Sequence, residues 1–194
     1  PNSGETNPVK MDYPCIKGDQ AIFFVIHDKG THYETKSLPL GIELRVMAYA
    51  FNTPADTALN NAVFVNYNII NRSSNTYNKT YLGNWADLDL GGYSDDFVGC
   101  DVKRNAFYVY NGDANDQDIA GAKGYGTTPP AQAVVFLKGS TADYNDGIDN
   151  DHNGLIDDET PSKRETMGMS KFMYFNNNNS PNGNPVGGAD YYNY

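Results

Sequence analysis

Apolar residues along this chain recur mainly with a period of two, as they do in strands whose side chains point alternately to opposite faces. Residues 41–52 (GIELRVMAYAFN) place Ile42, Leu44, Val46, Ala48 and Ala50 on one face, with Glu43, Arg45, Met47, Tyr49 and Phe51 opposite. Residues 62–71 repeat the pattern, Val63, Val65, Tyr67 and Ile69 alternating against Asn66 and Asn68. Residues 21–27 (AIFFVIH) form a continuous apolar run, which predicts a strand covered on both faces. Residues 105–110, 132–138 and 171–176 read as further strands, and clusters of Asn, Asp, Gly, Pro and Ser separate the runs. No window holds a convincing 3.6-residue period. The expectation is an all-β fold, a jelly-roll-like β-sandwich of antiparallel strands.

The connections are long. Residues 111–130 hold three acids, four glycines and a Pro-Pro stop, and residues 139–165 are irregular and dense in Asp. Loops of this length inside a compact domain usually have a function or are held by something other than packing. Residues 176–185 (NNNNSPNGNP) are turn chemistry, after which residues 189–194 (ADYYNY) turn aromatic as a strand would begin. We therefore expect one sandwich domain over residues 1–194, a segment of a longer chain, with residues 139–165 as an insertion.

Composition narrows the functional classes. The 194 residues carry 14 basic and 24 acidic side chains, a net charge of −10. Such a balance repels phosphate backbones and argues against nucleic-acid binding, while clustered carboxylates would attract cations. No stretch approaches the ~18 apolar residues of a membrane helix, so membrane insertion is not expected. Aromatic residues make up 13% and charged residues 20%, unlike a disordered chain. Two cysteines and three histidines do not complete a zinc site at the spacing zinc requires. Cys15 and Cys100 fit either a disulfide closing a long loop or two buried thiols.

The sharpest local signal is DGIDNDHNGLIDDE, residues 146–159. Asp149, Asp151 and Asn153 occupy alternate positions, Gly154 follows, and Leu155, Ile156 and Asp157 complete the first nine positions of a D-x-[DN]-x-[DN]-G-x-[ILV]-D calcium loop. Ca²⁺ takes six to eight hard oxygens, and alternate side chains of a tight loop converge on one point. Gly154 permits the turn that aims the Leu155 carbonyl inward. Ile156 is expected to anchor the loop on the core. Thr160 stands where an EF-hand has its bidentate Glu, so Asp158 or Glu159 would have to substitute, and Pro161 breaks any long exit helix. The expected ligands are Asp149, Asp151, Asn153, Leu155, Asp157 and Asp158. The loop resembles the helix-free calcium loops of thrombospondin type-3 and dockerin-like repeats.

A second acidic group lies in WADLDLGGYSDDFVGCD, residues 85–101. On a strand, Asp87 and Asp89 would share a face with carboxylates roughly 7 Å apart, and Asp95 and Asp96 follow a Gly-Gly turn that could fold them back. The four fit a second cation site or a solvated polar loop. Asp87 and Asp89 also fit the spacing of a glycosidase acid/base pair. Trp85, with Tyr81 and Tyr93, reads either as core or as a sugar-stacking platform. His27-Asp28, at the end of an apolar strand, reads as a structural pair. G-x-S-x-G, H-E-x-x-H and P-loop motifs are missing from the sequence. Sequons occur at Asn71 and Asn78, and Asp56-Thr57-Ala58 matches a D-[ST]-[AILVMT] triplet, with Thr57 the candidate O-glycosylation site.

Several segments together, VFVNYNIINRS (63–73), YLGNWADLDLGGYSDDFVGCD (81–101), FYVYNGD (107–113), VVFLKG after Pro129-Pro130, and MSKFMYFNN (169–177) leading to DYYNY, are similar to β-rich regions of large Bacteroidota proteins exported by the type IX secretion system. The resemblance implies an extracellular or cell-surface location and supplies a place more than an activity. The expected function is a non-enzymatic, Ca²⁺-stabilised structural or adhesive domain. Its partners would be other domains of the same chain, neighbouring copies or surface glycans. The alternative is a carbohydrate-binding module attached to a secreted hydrolase.

Overall fold

Six strands, every pairing antiparallel, carry the regular structure, seen in a computed structural model that describes residues 16–157, 160, 163–176, 183–185 and 190. The fold is all-β. Among the described residues helix is confined to short turns, of which the four-residue α1 (Thr57–Asn60) is capped by Asp56, whose side chain accepts from Leu59 N. Thr57, the candidate glycosylation site, is exposed at the first position of that turn.

The described residues fall into two compact units, one up to Thr80 together with Pro185 and Asp190, the other over Tyr81–Asn184. The first holds β1 (Gln20–His27), β2 (Ile42–Ala50) and β3 (Val63–Asn71) in spatial order β1-β2-β3. Register follows the sequence alternation. Tyr49 lies opposite Phe64 and their rings stack 5.3 Å apart, with Phe51 edge-on to both. On the same face, near the other end of β2, Glu43 accepts from Arg45 Nε at 2.8 Å and from Arg72 Nη2 at 3.0 Å. Val46, on the opposite face, is fully buried.

β1 does not meet the expectation of a doubly covered strand. Ile22, Phe23, Phe24, Val25 and Ile26 all remain exposed, on both faces of the strand, and among the described residues β1 is an edge strand paired with β2. The loop from β1 to β2 is closed by Asp28, whose carboxylate accepts from the N–H groups of Leu40, Gly41 and Ile42. Burial pushes the Asp28 carboxyl up, but these donors outweigh it and hold it below its ordinary value. Asp28 is thus a backbone clamp, and His27 Nδ1 accepts from Lys29 N.

The second unit holds β4 (Asp96–Asp101), β5 (Ala106–Asn111) and β6 (Ala131–Val135), in that order across the sheet. β5 is central, and its Ala106 and Val109 are buried together with Leu90 and Ala142. Asn105 leaves the preceding 3-10 turn in a left-handed conformation, φ 50°, and reverses the chain into β5. Residues 171–176 are not paired as a strand; Phe172 packs on Phe107 and Phe175 stacks on Trp85, so this segment docks through rings rather than through a ladder. Residues 191–194 lie outside the described residues.

Candidate metal centre

Backbone pairing between residues 140–142 and 165–167 builds the base of the acidic loop. Ala142 N donates to Glu165 O (3.0 Å), Met167 N donates to Ser140 O (2.8 Å), and Thr141 bridges Thr166. Arg164 reinforces this stem by donating from Nη2 to Ala142 O, its guanidinium lying 5.1 Å from the Tyr144 ring centre. The loop's far end is tied down by Gly168 N to Asn150 O (2.8 Å), while Asn105 Oδ1 accepts from Met169 N (2.8 Å).

Inside the stem the chain winds on its own carboxylates. Asp149 accepts from Asn153 N (3.1 Å) and Gly154 N (2.9 Å), and Asp151 also accepts from Asn153 N. Asn153 Oδ1 accepts from Leu155 N (2.8 Å), and Asp157 Oδ2 accepts from Gly147 N (3.0 Å), which closes the loop end to end. Gly154 sits at φ +96°, where an L side chain would be strained. The alternation expected from the sequence therefore becomes a series of side-chain-to-backbone turns.

Ligand oxygens of Asp149, Asp151 and Glu165 lie within 4.8 Å of one another. Glu165 is only 5% exposed, and its Oε2 accepts from Asn150 N at 3.2 Å. Two of the expected ligands thus meet a third residue that the loop motif does not include. Glu165 lies beyond Pro161 in sequence, and only the stem brings it back. The signal available in the sequence was the extended STA and ETM triplets flanking the acidic stretch. Asp157 Oδ1 is buried with no hydrogen-bond partner among the described residues, and Asp157 is not one of the three carboxylates that converge. Asn153 and Leu155 contribute the turn, and Asp158 lies outside the described residues. Ile156 does not anchor the loop. It is 65% exposed, since the stem and the carboxylate turns hold the loop in place of apolar packing.

The residues present fit a hard divalent cation: a buried carboxylate and two half-buried ones, all oxygen donors. Three carboxylates this close repel one another, and a bound cation would relieve that repulsion.

The second acidic group is rearranged. Residues 81–90 carry no strand, so the expected common face for Asp87 and Asp89 does not form, and both are exposed. Asp95 and Asp96 are half-buried, and they are joined by a residue that motif reading overlooked. Asp116, from the middle of the 111–130 loop, is 2% exposed and accepts from Gly92 N (2.8 Å) and Tyr125 N (2.7 Å). Asp96 Oδ2 accepts from Leu90 N (2.8 Å). Burial is the largest cause holding the Asp96 carboxyl above its ordinary value; the Leu90 N–H works against it, and the charges of Asp116, Asp95 and Asp89 add to it. Trp85 is 57% exposed with its ring stacked 4.9 Å from Phe175, and Tyr81 and Tyr93 are exposed too. Cys100 is exposed on β4, and Cys15 lies outside the described residues.

Set against known protein families, characterised proteins and solved structures, the chain finds no match.

Proposed function

We propose that this chain is a Ca²⁺-stabilised, extracellular structural or adhesive β-domain of a larger surface or secreted protein. The observation that carries the reading is the convergence on one point of Asp149 and Asp151 from the loop and Glu165 from the stem that closes it. A cation there links both arms of a long connection that little apolar packing holds, so its binding energy becomes folding energy. Millimolar Ca²⁺ outside cells saturates even weak loops, which suits an acidic, Asn-rich surface. Export through the type IX system, in the manner of the Bacteroidota proteins that the sequence resembles, fits that location. The open apolar faces of β1 and β3 support contact with other domains of the same chain or with neighbouring copies.

Thermal unfolding with and without Ca²⁺ tests the reading. At a hundredfold excess over Kd the ion adds about 2.7 kcal/mol, a rise in Tm of roughly 5–10 °C for a chain of this size. Asp149→Ala with Asp151→Ala abolishes the rise, and Glu165→Gln diminishes it. An intact chain whose Tm ignores both Ca²⁺ and EDTA would reject the site.

One observation favours a second reading. Trp85 offers an exposed indole backed by Phe175, a geometry suited to stacking on a sugar ring in a carbohydrate-binding module. In a polysaccharide gel shift that reading expects retardation which Trp85→Ala removes; unretarded migration across a polysaccharide panel eliminates it.

A further inference from the structure

Asp96 and Asn111 are directly paired across β4 and β5, so their side chains project from the same face of the sheet as immediate neighbours. Each keeps a buried oxygen, Asp96 Oδ1 and Asn111 Oδ1, that accepts no hydrogen bond. Asn111 is 7% exposed, and its amide orientation is fixed because Nδ2 donates to Asp113 O at 3.1 Å. Rotating the amide to offer a donor to Asp96 would sacrifice that bond. Asp116 adds a third buried oxygen donor group. Asp96 and Asp116 grip the same turn, through Leu90 N and Gly92 N respectively. Among the described residues no ion pair reaches Asp96 or Asp116. The region gathers acceptors and negative charge, and two of its acceptors are left over.

We propose that Asp96, Asn111 and Asp116 form a second divalent-cation site, of the hard-oxygen class that binds Ca²⁺, at the end of the β4–β5 pair. Asp96 Oδ1 and Asn111 Oδ1 are its ligand atoms, and Asp116 supplies fixed buried charge. Asp89 and Asp95 add to the negative field without being required as ligands, and Asp87 takes no part. The site explains how a carboxylate at Asp96 tolerates its acidic surroundings: an ion between the strands replaces mutual repulsion with shared coordination. It also pins the 111–130 loop, through Asp116, to the turn before β4. This site is separate from the loop around Asp149 and stands whether or not that loop binds metal.

Calorimetric titration of the whole chain with CaCl₂ alone decides the matter. Two equivalents are expected for the intact chain. The Asp149→Ala, Asp151→Ala double variant keeps one, and adding Asp96→Asn or Asn111→Ser weakens that remaining equivalent by roughly tenfold or more. A double variant that binds none overturns the proposal, as it would if a water molecule or a proton on Asp96 satisfies the two oxygens instead. A residual equivalent indifferent to both Asp96→Asn and Asn111→Ser overturns it as well, by locating the ion elsewhere. If the Asp149 loop is the part that fails, the intact chain binds one equivalent, which the double variant keeps and Asp96→Asn weakens. The stoichiometry of the double variant does not depend on how well the Asp96 and Asn111 variants fold.

Discussion

Glu43 receives two guanidinium groups on the polar face of β2, and hydrogen bonds from Arg72 first and Arg45 second hold its carboxyl at about 2 against an ordinary 4.5. The unfolded chain takes up that proton at the higher pH, so the pair's stabilisation is complete above about pH 4.5 and disappears as pH falls through about 2. Glu43→Gln removes this contribution. Melting temperatures measured from pH 6 down to pH 2 should fall more steeply for the wild type, the two curves converging at the acid end; parallel curves would show that the carboxylate contributes nothing. At this scale the sequence was informative wherever chemistry is local. The alternation of β2 placed Glu43 and Arg45 on one face, and the spacing of Asp149 and Asp151 put them in one turn. Arg72, Glu165 and Asp116 were illegible, because each reaches its partners from a distant segment and only tertiary pairing reveals it.

The stem at residues 140–142 and 165–167 is the element on which the candidate metal centre depends, and Gly139 sits at its mouth. A Cβ on Gly139 would lie 2.1 Å from Met167 O, a backbone atom that cannot swing aside. Gly139→Ala should therefore force the stem apart, cost about 1–3 kcal/mol, and weaken Ca²⁺ binding because Glu165 moves away from Asp149 and Asp151. Gly83, whose added Cβ would meet nothing within 4 Å, is the control, and Gly83→Ala should stay within about 0.5 kcal/mol of the wild type. Thermal melts with and without Ca²⁺ distinguish the two; equal behaviour would mean that the stem does not govern the loop. Strands were legible in proportion to how purely they alternate. β2 and β3 were plain, and β5 and β6 were found within a few residues. β4 was hidden because DFVGCD is broken by Gly99, over which the ring of its register partner Tyr108 lies, so packing that belongs to β5 compensates for what β4 lacks. Residues 171–176 mislead in the opposite sense. Their aromatic alternation is real, but it serves ring contacts with Phe107 and Trp85, and side-chain periodicity does not say whether a backbone partner exists.

Across the whole molecule, order is distributed unevenly between regular sheets and long connections, and a cation would act on the connections. Asn105 carries the link from loop to sheet, since it turns the chain into β5 while its side chain accepts from Met169 N. Ca²⁺ bound among Asp149, Asp151 and Glu165 should therefore slow amide exchange in residues 139–169 and extend that protection to the start of β5. Strands β1, β2 and β3 belong to the other compact unit, and their closure rests on Asp28 and on aromatic pairing, so their exchange should not respond to the loop's ion. Hydrogen-exchange mass spectrometry of the whole chain, with and without Ca²⁺, reads both regions in one experiment, and Asp149→Ala with Asp151→Ala is its reference. Protection that vanishes around residues 139–169 in the double variant but persists near Asp96 and Asn111 would assign the remaining effect to the second site. Protection spread evenly over β1, β2 and β3 would instead mean that Ca²⁺ acts on the fold as a whole, and that the loop is not where its energy is spent.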